Sequence, residues 1–326
     1  MTYSSHLIAL LKSKYPDCIP LDEIGRTLTL KQTDTSDLIA DLGEKGYPLN
    51  QSKEGIRFEL PLINSDSIKA DLRTRRIGRN LIFKDRIPST NELALNKLNS
   101  FSHGDIILTD FQTNGKGRMG RNWQASLGKS IALSIVLKPA IENKQAVLLT
   151  QLTAAALSKA IDQITHSSIK WPNDMIVNSK KVAGILTESH FSGSSLEGIV
   201  IGVGINTNMS TEDIDNNLRS KATSLLIETQ KIVDPNSLIT SFIQWFDELY
   251  SSWELTNDSS PFISICKEKS ILMNREIIVR SGEMNRPGKV VDINPLGELI
   301  IKYAGQDSLE SLQTMDFSIR GKDSYI

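Results

Sequence analysis

Residues 111–123 read FQTNGKGRMGRNW: Gly115, Gly117 and Gly120 alternate with Lys116, Arg118 and Arg121, Gln112 stands ahead of them, and Trp123 closes the run. Glycines let a backbone approach a ligand closely. The cations between them suit a phosphate or a carboxylate. Between residues 110 and 130, four basic side chains (Lys116, Arg118, Arg121, Lys129) accompany one acid, Asp110, in a chain of 326 residues with net charge −1. Composition alone leaves this loop open between a solvated surface segment and a ligand loop.

The rest of the composition narrows the class. The length allows two or three domains, and a 39% apolar fraction is ordinary for a folded chain. Near-zero net charge gives no global field for nucleic acid. Cys18 and Cys266 are far apart, which argues against a disulfide framework or a thiolate metal site. The longest apolar stretch, 146–164, is interrupted by Gln151, Lys159, Asp162 and Gln163 and reads as a packed helix, not a membrane span. Lys12 and Lys14 follow a short apolar run, the reverse of a secretory signal. The expected compartment is the cytoplasm, with no membrane contact.

Working outward, the chain divides into 1–64, 65–269 and 270–326. In the first part, 6–14, 21–28 and 34–45 read as helices and IRFEL (56–60) as a return strand, the order of a winged helix-turn-helix. Arg73, Arg75, Arg76 and Arg79 are expected on a linker helix, as a solvated face. The middle part alternates β-branched runs (105–111, 130–137, 174–178, 181–188, 198–206) with helices around 143–165 and 236–253. In the second helix Leu238, Phe242, Trp245, Phe246, Leu249 and Trp253 share a face. A central mixed β-sheet with packed helices follows. The last part carries short strands at 276–280, 288–293, 298–303 and near 309–319, with hairpin chemistry at Asn294–Gly297, which suggests a small β-barrel. The fold class is α+β.

Four further elements bear on chemistry. Ser89-Thr90-Asn91 after Pro88 reads as a helix N-cap, whose free N–H groups also suit a ligand. Lys170-Trp171-Pro172-Asn173-Asp174 reads as a tight turn that projects Asn173 and Asp174, the latter a carboxylate for a metal or a proton. Lys181 opens a strand with Gly184 three residues on, either solvated or set beside an anion. GVGIN (202–206) places two glycines and Asn206 on a central strand, where glycine marks close approach of a ligand.

Together, Ser89–Asn91, Gln112–Trp123, Lys170–Asp174, Lys180–Glu188, Gly202–Asn208 and Ala222–Leu225 resemble the biotin protein ligases, from about residue 67 to the C-terminus. With the N-terminal helices, the chain resembles the bifunctional type that is both ligase and biotin-operon repressor. The resemblance implies a biotin/lipoate-ligase-like central domain and a C-terminal SH3-like β-barrel. It implies formation of biotinyl-5′-AMP from biotin and ATP with Mg, and transfer of biotin to a lysine of the biotin carboxyl carrier protein of acetyl-CoA carboxylase. It also implies a homodimer built on the central sheet's edge.

By the same resemblance Lys181, Arg118 and Asp174 are catalytic. Ser89, Thr90, Asn91, Gln112, Gly115, Lys116, Gly117, Arg118, Lys181 and Gly184 bind biotin. Arg121, Trp123, Lys170, Asn173, Asp174 and Asn206 bind ATP or the adenylate, with Trp123 over the adenine and Asp174 toward the metal. Neither cysteine lies in a matching motif, so no covalent enzyme intermediate is expected. Met119 stands where many relatives carry a cation, which implies looser retention of the intermediate.

Thr33, Thr35 and Ser36 would contact operator DNA. Residues 1–62 nevertheless carry seven basic and nine acidic side chains, a net −2 where phosphate binding wants the opposite sign. Three alternatives remain: a ligase whose winged helix no longer binds DNA, a pure regulator that senses the adenylate, and a lipoate or octanoate ligase on a related fold.

Overall fold

The computed structural model describes residues 2–139, 145–281, 284–313 and 318–321. Helices α1 (Tyr3–Lys14), α2 (Leu21–Leu28) and α3 (Gln32–Glu44) come first, then a hairpin of β1 (Leu49–Ser52) and β2 (Gly55–Phe58). Thr2 caps α1, its side chain accepting from Ser5 N–H. Leu7 and Leu11 lie on one face of α1 and meet Ile24, Ile39, Leu42, Ile56 and Phe58, which closes a small separate core. Gly55, at φ 134°, is required by the hairpin: a Cβ there would sit 2.2 Å from the Ile19 carbonyl oxygen.

Asn64 caps α4 (Ser65–Asp71). That helix ends before the arginine cluster, so Arg73, Arg75, Arg76 and Arg79 lie in the segment after it and not on a helix. The cause is Asp247, a buried carboxylate that accepts the backbone N–H groups of Arg75, Arg76 and Ile77 at 2.7, 3.0 and 2.9 Å.

The central sheet uses β3 (Leu81–Ile87), β4 (Ile106–Gln112), β7 (Ser130–Leu137), β8 (Ser168–Lys170), β9 (Asp174–Val177), β10 (Lys180–Ser192) and β11 (Ser195–Asn206). Between β4 and β7 lies the short pair β5 (Gly115–Lys116) and β6 (Asn122–Trp123). The strand order is β3-β4-β7-β11-β10-β9-β8. β3 and β4 run parallel and the remaining pairs antiparallel, so the sheet is mixed. Every residue of β7 is buried, as its unbroken apolar run requires.

Helices α5 (Thr90–Asn96), α6 (Ala146–Ile161), α7 (Leu225–Thr229), α8 (Pro235–Thr256) and α9 (Ser260–Glu268) accompany the sheet. Asp234 caps α8 and Pro235 starts it, the expected N-terminal chemistry. Its buried stripe runs Leu238, Phe242, Phe246, Tyr250, Trp253, with Phe246 and Tyr250 stacked at 5.9 Å; Trp245 and Leu249 are only partly buried. Tyr250, which was not among the residues expected on this face, is fully buried.

Last come β12 (Glu276–Ser281), β13 (Met284–Ile293), β14 (Leu299–Tyr303), β15 (Leu309–Leu312) and β16 (Ser318–Gly321), an antiparallel sheet in the order β15-β14-β13-β12-β16. Residues 314–317 of the run expected near 309–319 lie outside the described residues. The apolar residues of this sheet join those of the central sheet in one cluster from Ile63 to Ile319.

Candidate functional site

The site forms where β4, β10, β11 and the β8–β9 turn converge beneath the glycine-basic loop. Ser89 has extended backbone, and its hydroxyl accepts from Glu92 N–H at 3.4 Å, so it is the N-cap of α5. The backbone N–H and the hydroxyl of Thr90 both donate to Gln112 Oε1, at 2.8 and 3.1 Å, which fixes the amide at the end of β4. Asn91 donates from Nδ2 to Leu186 O (3.2 Å) and Glu188 Oε2 (2.7 Å) and accepts from Ser134 Oγ (2.5 Å). Two strands, β7 and β10, thereby hold one buried amide.

The spacing Gly115-x-Gly117-x-x-Gly120 has the letters of a dinucleotide fingerprint, but no strand-to-helix turn follows it. The loop folds as β5, one tight 3-10 turn at Arg118–Gly120, and β6. Gly117 N–H donates to Arg121 O at 2.7 Å. Met119 sits exposed at φ 57°, a left-handed conformation in the middle of that turn. Gly115 has a close neighbour instead: a Cβ there would lie 2.6 Å from Trp123 O and 2.9 Å from Gln112 Nε2.

The loop's cations reach distinct partners. Arg118 Nη1 donates to Asn173 Oδ1 at 3.1 Å. Burial and then Arg121 pull its pKa below the usual arginine value, while Asp174 opposes the shift. Lys116 Nζ is 3.1 Å from Glu92 Oε2. Lys181 Nζ is 2.5 Å from Asp174 Oδ1 and 5.6 Å from the Trp123 ring centroid.

Lys170 pairs with Asp174 across β8 and β9, so Trp171, Pro172 and Asn173 form the turn between them. Asn173 Nδ2 donates to Ile185 O at 2.9 Å, and Ile185 N–H returns a bond to Asn173 O at 3.0 Å. Lys181 is held from its other side by residues 221–223. Lys181 N–H donates to Lys221 O (2.8 Å), and Thr223 N–H to Lys181 O (2.9 Å).

Two neighbouring cavities result. The first, about 50 Å³, is lined by Ser89, Thr90, Asn91, Gln112, Lys116, Gly117, Arg118, Lys181 and Gly184. The second, about 130 Å³, is lined by Arg121, Lys170 and Asp174. Trp123, Asn173, Arg118, Gly117 and Lys181 border both. Nearly all the residues singled out from the sequence therefore meet here. Gly115 supports the wall without lining it, and Asn206 lines neither cavity. The Asn206 amide donates to Thr223 O at 2.9 Å and so steadies the segment beside Lys181.

The glycines of the floor make room for side chains, and Gly202 and Gly204 of GVGIN also line the first cavity. A Cβ on Gly184 would lie 2.9 Å from Lys181 Nζ, one on Gly202 2.4 Å from Asn91 Oδ1, and one on Gly204 2.4 Å from the Trp123 ring. The Trp123 indole N–H is buried without a hydrogen-bond partner among the described residues. Trp123 thus occupies the floor of a cavity whose 50 Å³ is far below the ~300 Å³ and more of small-molecule sites.

Ile319 of β16, at the end of the run expected near 309–319, walls the second cavity. Among the described residues no group of three or more His, Cys, Asp or Glu side chains could hold a metal. Asp174 is a single carboxylate.

Of the expected DNA contacts, Thr33 and Ser36 are exposed, and Ser36 Oγ donates to Gln32 O. Thr35 is a correction: it is fully buried, its hydroxyl donating to Lys31 O at 3.0 Å, because it faces α2 and not the surface.

Residues 83–206 match the biotin/lipoate A/B protein ligase family. The chain is 30% identical over 227 residues to the biotin--[acetyl-CoA-carboxylase] ligase of Paracoccus denitrificans, covering 67% of this chain and 92% of that protein. It is 27% identical over 324 residues to the bifunctional ligase/repressor BirA of Bacillus spizizenii, covering 98% of this chain and 99% of the relative. The structure of the biotin protein ligase from Aquifex aeolicus in complex with biotin and ATP superposes with a TM-score of 0.65 at 27% identity, over 74% of this chain and 99% of that one.

Proposed function

Since the chain belongs to the biotin/lipoate A/B protein ligase family, we propose that it joins biotin to a carrier protein with ATP, through biotinyl-5′-AMP. The observation that carries this reading is the meeting of Arg118 and Lys181 at the wall shared by two cavities, one lined by hydroxyl and amide side chains together with apolar ones such as Leu133, Ile185 and Val203, the other basic. Biotin occupies the first, with its head group toward Ser89, Thr90 and Gln112. ATP occupies the second, toward Arg121, Lys170 and Asn173, with Trp123 between them. That placement brings a carboxylate and an α-phosphate, both anionic, to the same wall.

Attack of carboxylate oxygen on the α-phosphorus releases pyrophosphate and leaves the acyl adenylate. Arg118 and Lys181 offset the charge that accumulates on the phosphoryl oxygens. The carrier lysine then attacks the acyl carbon, its proton passing toward Asp174, and AMP leaves. One carboxylate suits Mg, which takes most of its ligands from phosphate and water. Asp174 would hold it, and the ion would neutralise phosphate charge. Because Trp123 fills the floor, binding requires the 111–123 loop to shift and then close over the adenylate, which excludes water.

The partner we assign is the biotin carboxyl carrier protein of acetyl-CoA carboxylase, the enzyme that appears in the ligase relative's name. We assign three units, 1–64, 65–269 and 270–326, the first a winged helix-turn-helix and the last an SH3-like barrel. The protein is assigned to the cytoplasm; no helix among the described residues is long and apolar enough to cross a membrane. A homodimer through the edge of the central sheet is part of the same reading.

The test is incubation with biotin, ATP-Mg and the carrier domain, followed by mass spectrometry of the carrier. Wild type adds one biotinyl group and Lys181→Ala does not; an unmodified carrier with wild type sinks the reading.

Repression of biotin synthesis is the second role we propose, supported by the relatives that are ligase and repressor. The ligase-only reading draws on a specific observation: α3 exposes Asp34, Asp37 and Glu44 and buries Thr35. A mobility-shift assay with biotin and ATP separates the two. A salt-dependent shift supports repression, and no shift at low salt leaves the ligase alone.

A further inference from the structure

The turn Trp171-Pro172-Asn173 points in two directions. Asn173 faces the site through Arg118, and Asp174, the next residue, meets Lys181. Trp171 borders the second cavity, but its indole is tied elsewhere: the residue is 2% exposed, and its Nε1 donates to the carbonyl of Gly297 at 2.9 Å, 126 residues later in the chain. Between them, the Pro172 carbonyl accepts from Gln151 Nε2 of α6 at 2.8 Å, deep in the core. The three residues of the turn thus have three separate anchors.

The Gly297 anchor is itself fixed. Gly297 has φ 78°, and a Cβ there would meet Gln151 Cγ at 3.1 Å and Leu148 Cδ2 at 3.3 Å. Only glycine lets the turn press this closely on α6. The Asn294 side-chain oxygen accepts the N–H groups of Leu296 and Glu298, at 2.9 and 3.0 Å, and Ser259 Oγ donates to Pro295 O at 2.6 Å. The β13–β14 turn is a rigid post set against α6 and α9.

We propose that this post and Gln151 position the reacting groups. The C-terminal sheet sets the place of Asn173 and Asp174 through Trp171, so Trp171 and Gln151 are positioning residues for adenylate formation. The inference rests on the ligase reading and gives the C-terminal unit a part in chemistry beyond the wall supplied by Ile319. Its physical basis is the steep dependence of rate on alignment: displacement by about 1 Å can cost a hundredfold. Neither residue touches the biotin side of the site, where Thr90 and Gln112 hold each other.

Two variants test this. Trp171→Phe keeps the buried ring and deletes the N–H, and Gln151→Met keeps the volume and deletes the bond to Pro172. Adenylation is followed as biotin-dependent pyrophosphate release, and folding by thermal unfolding. The expected result is a fall in kcat of about tenfold or more in folded protein, with the KM for biotin within about twofold of wild type.

A cycle with Asp174→Asn supplies the decisive readout. If Trp171 acts through Asp174, Trp171→Phe has little further effect in that background. Multiplying effects, equal changes in kcat and biotin KM, or a lowered Tm with unchanged kcat would each overturn the inference. Wild type without biotin-dependent pyrophosphate release would overturn the ligase reading as well. An active wild type with unaffected variants overturns this inference alone.

Discussion

Lys12 Nζ lies 2.6 Å from Asp110 Oδ2, a buried ion pair that ties the first helix to the strand ending in Gln112. The carboxylate is fully enclosed: burial pushes its pKa up, while Lys12 and the Ile63 N–H on Oδ1 oppose the shift. Lys12 also lies 4.2 Å over the Phe83 ring. Removing one partner leaves a buried charge, so Lys12→Met is expected to cost about 3–5 kcal/mol. The pair Lys12→Met/Asp110→Leu is expected to recover part of that loss, because no unpaired charge remains, but not all of it, because the buried Ile63 N–H loses its acceptor. Urea unfolding measures both. A cost near that of a surface ion pair for the single variant would contradict this account.

The glycine floor predicts graded losses. Alanine at Gly204 puts a methyl 2.4 Å from the ring of Trp123, which is half-buried and whose indole N–H has no hydrogen bond among the described residues to hold it. Ligand affinity is expected to fall tenfold or more, with a change in Tm of a few degrees at most. Alanine at Gly202 pushes on Asn91, which three hydrogen bonds hold in place. There the cost should appear in stability too, about 1–3 kcal/mol. Calorimetric titration with biotin beside thermal melts separates the cases. Equal effects on both quantities at both positions would argue against Trp123 being the mobile member.

Asp162 gives a pH prediction with a definite sign. Burial opposes ionisation, but bonds from Lys269 and Ser167 outweigh it and hold the carboxyl below its ordinary 3.8. A depressed folded pKa means the stabilisation is present above 3.8 and fades as the pH falls through the folded value. The stability difference between wild type and Asp162→Asn should therefore be constant above about pH 5 and narrow below pH 3.8. Urea midpoints across pH 2.5–7, about half a unit apart, follow it. A difference that widens in acid would reverse the sign.

Much of the site was legible because its chemistry is local in the chain. Ser89-Thr90-Asn91, the glycine-basic loop and Lys170–Asp174 each form a short contiguous unit, and a unit that must hold an anion shows its charges and turn formers in sequence. What was not legible depends on contacts across long separations. The Asn206 amide donates to Thr223 O, a bond across 17 residues that no local motif announces. Thr35 looked like a groove residue, yet its register on α3 turns it into the core. The arginines after Asp71 have the helix-forming tendency expected of them, but the Asp247 carboxylate takes their backbone N–H groups. The glycines of GVGIN were recognised as sites of close approach; which atom approached was set by Asn91 on α5 and Trp123 on β6.

Lys181 and Asp174 give the sharpest test of site against scaffold. Their pair is 2.5 Å long and only partly buried, so it contributes at most about 1 kcal/mol to stability. If the amine stabilises charge in the transition state, Lys181→Ala should lower adenylation about 10²–10³-fold while the melting temperature stays near wild type. Lys181→Arg keeps the charge but carries a planar fork into a space bounded by Gly184 and Trp123, and it should recover only part of the rate. Gly184→Ala makes the same point from the other side: its methyl would sit 2.9 Å from Lys181 Nζ and displace the amine without removing it. A rate loss in Gly184→Ala that vanishes in the Lys181→Ala background ties the glycine to the amine. Independent losses would mean that Gly184 serves the ligand directly, and the floor would have to be reassigned.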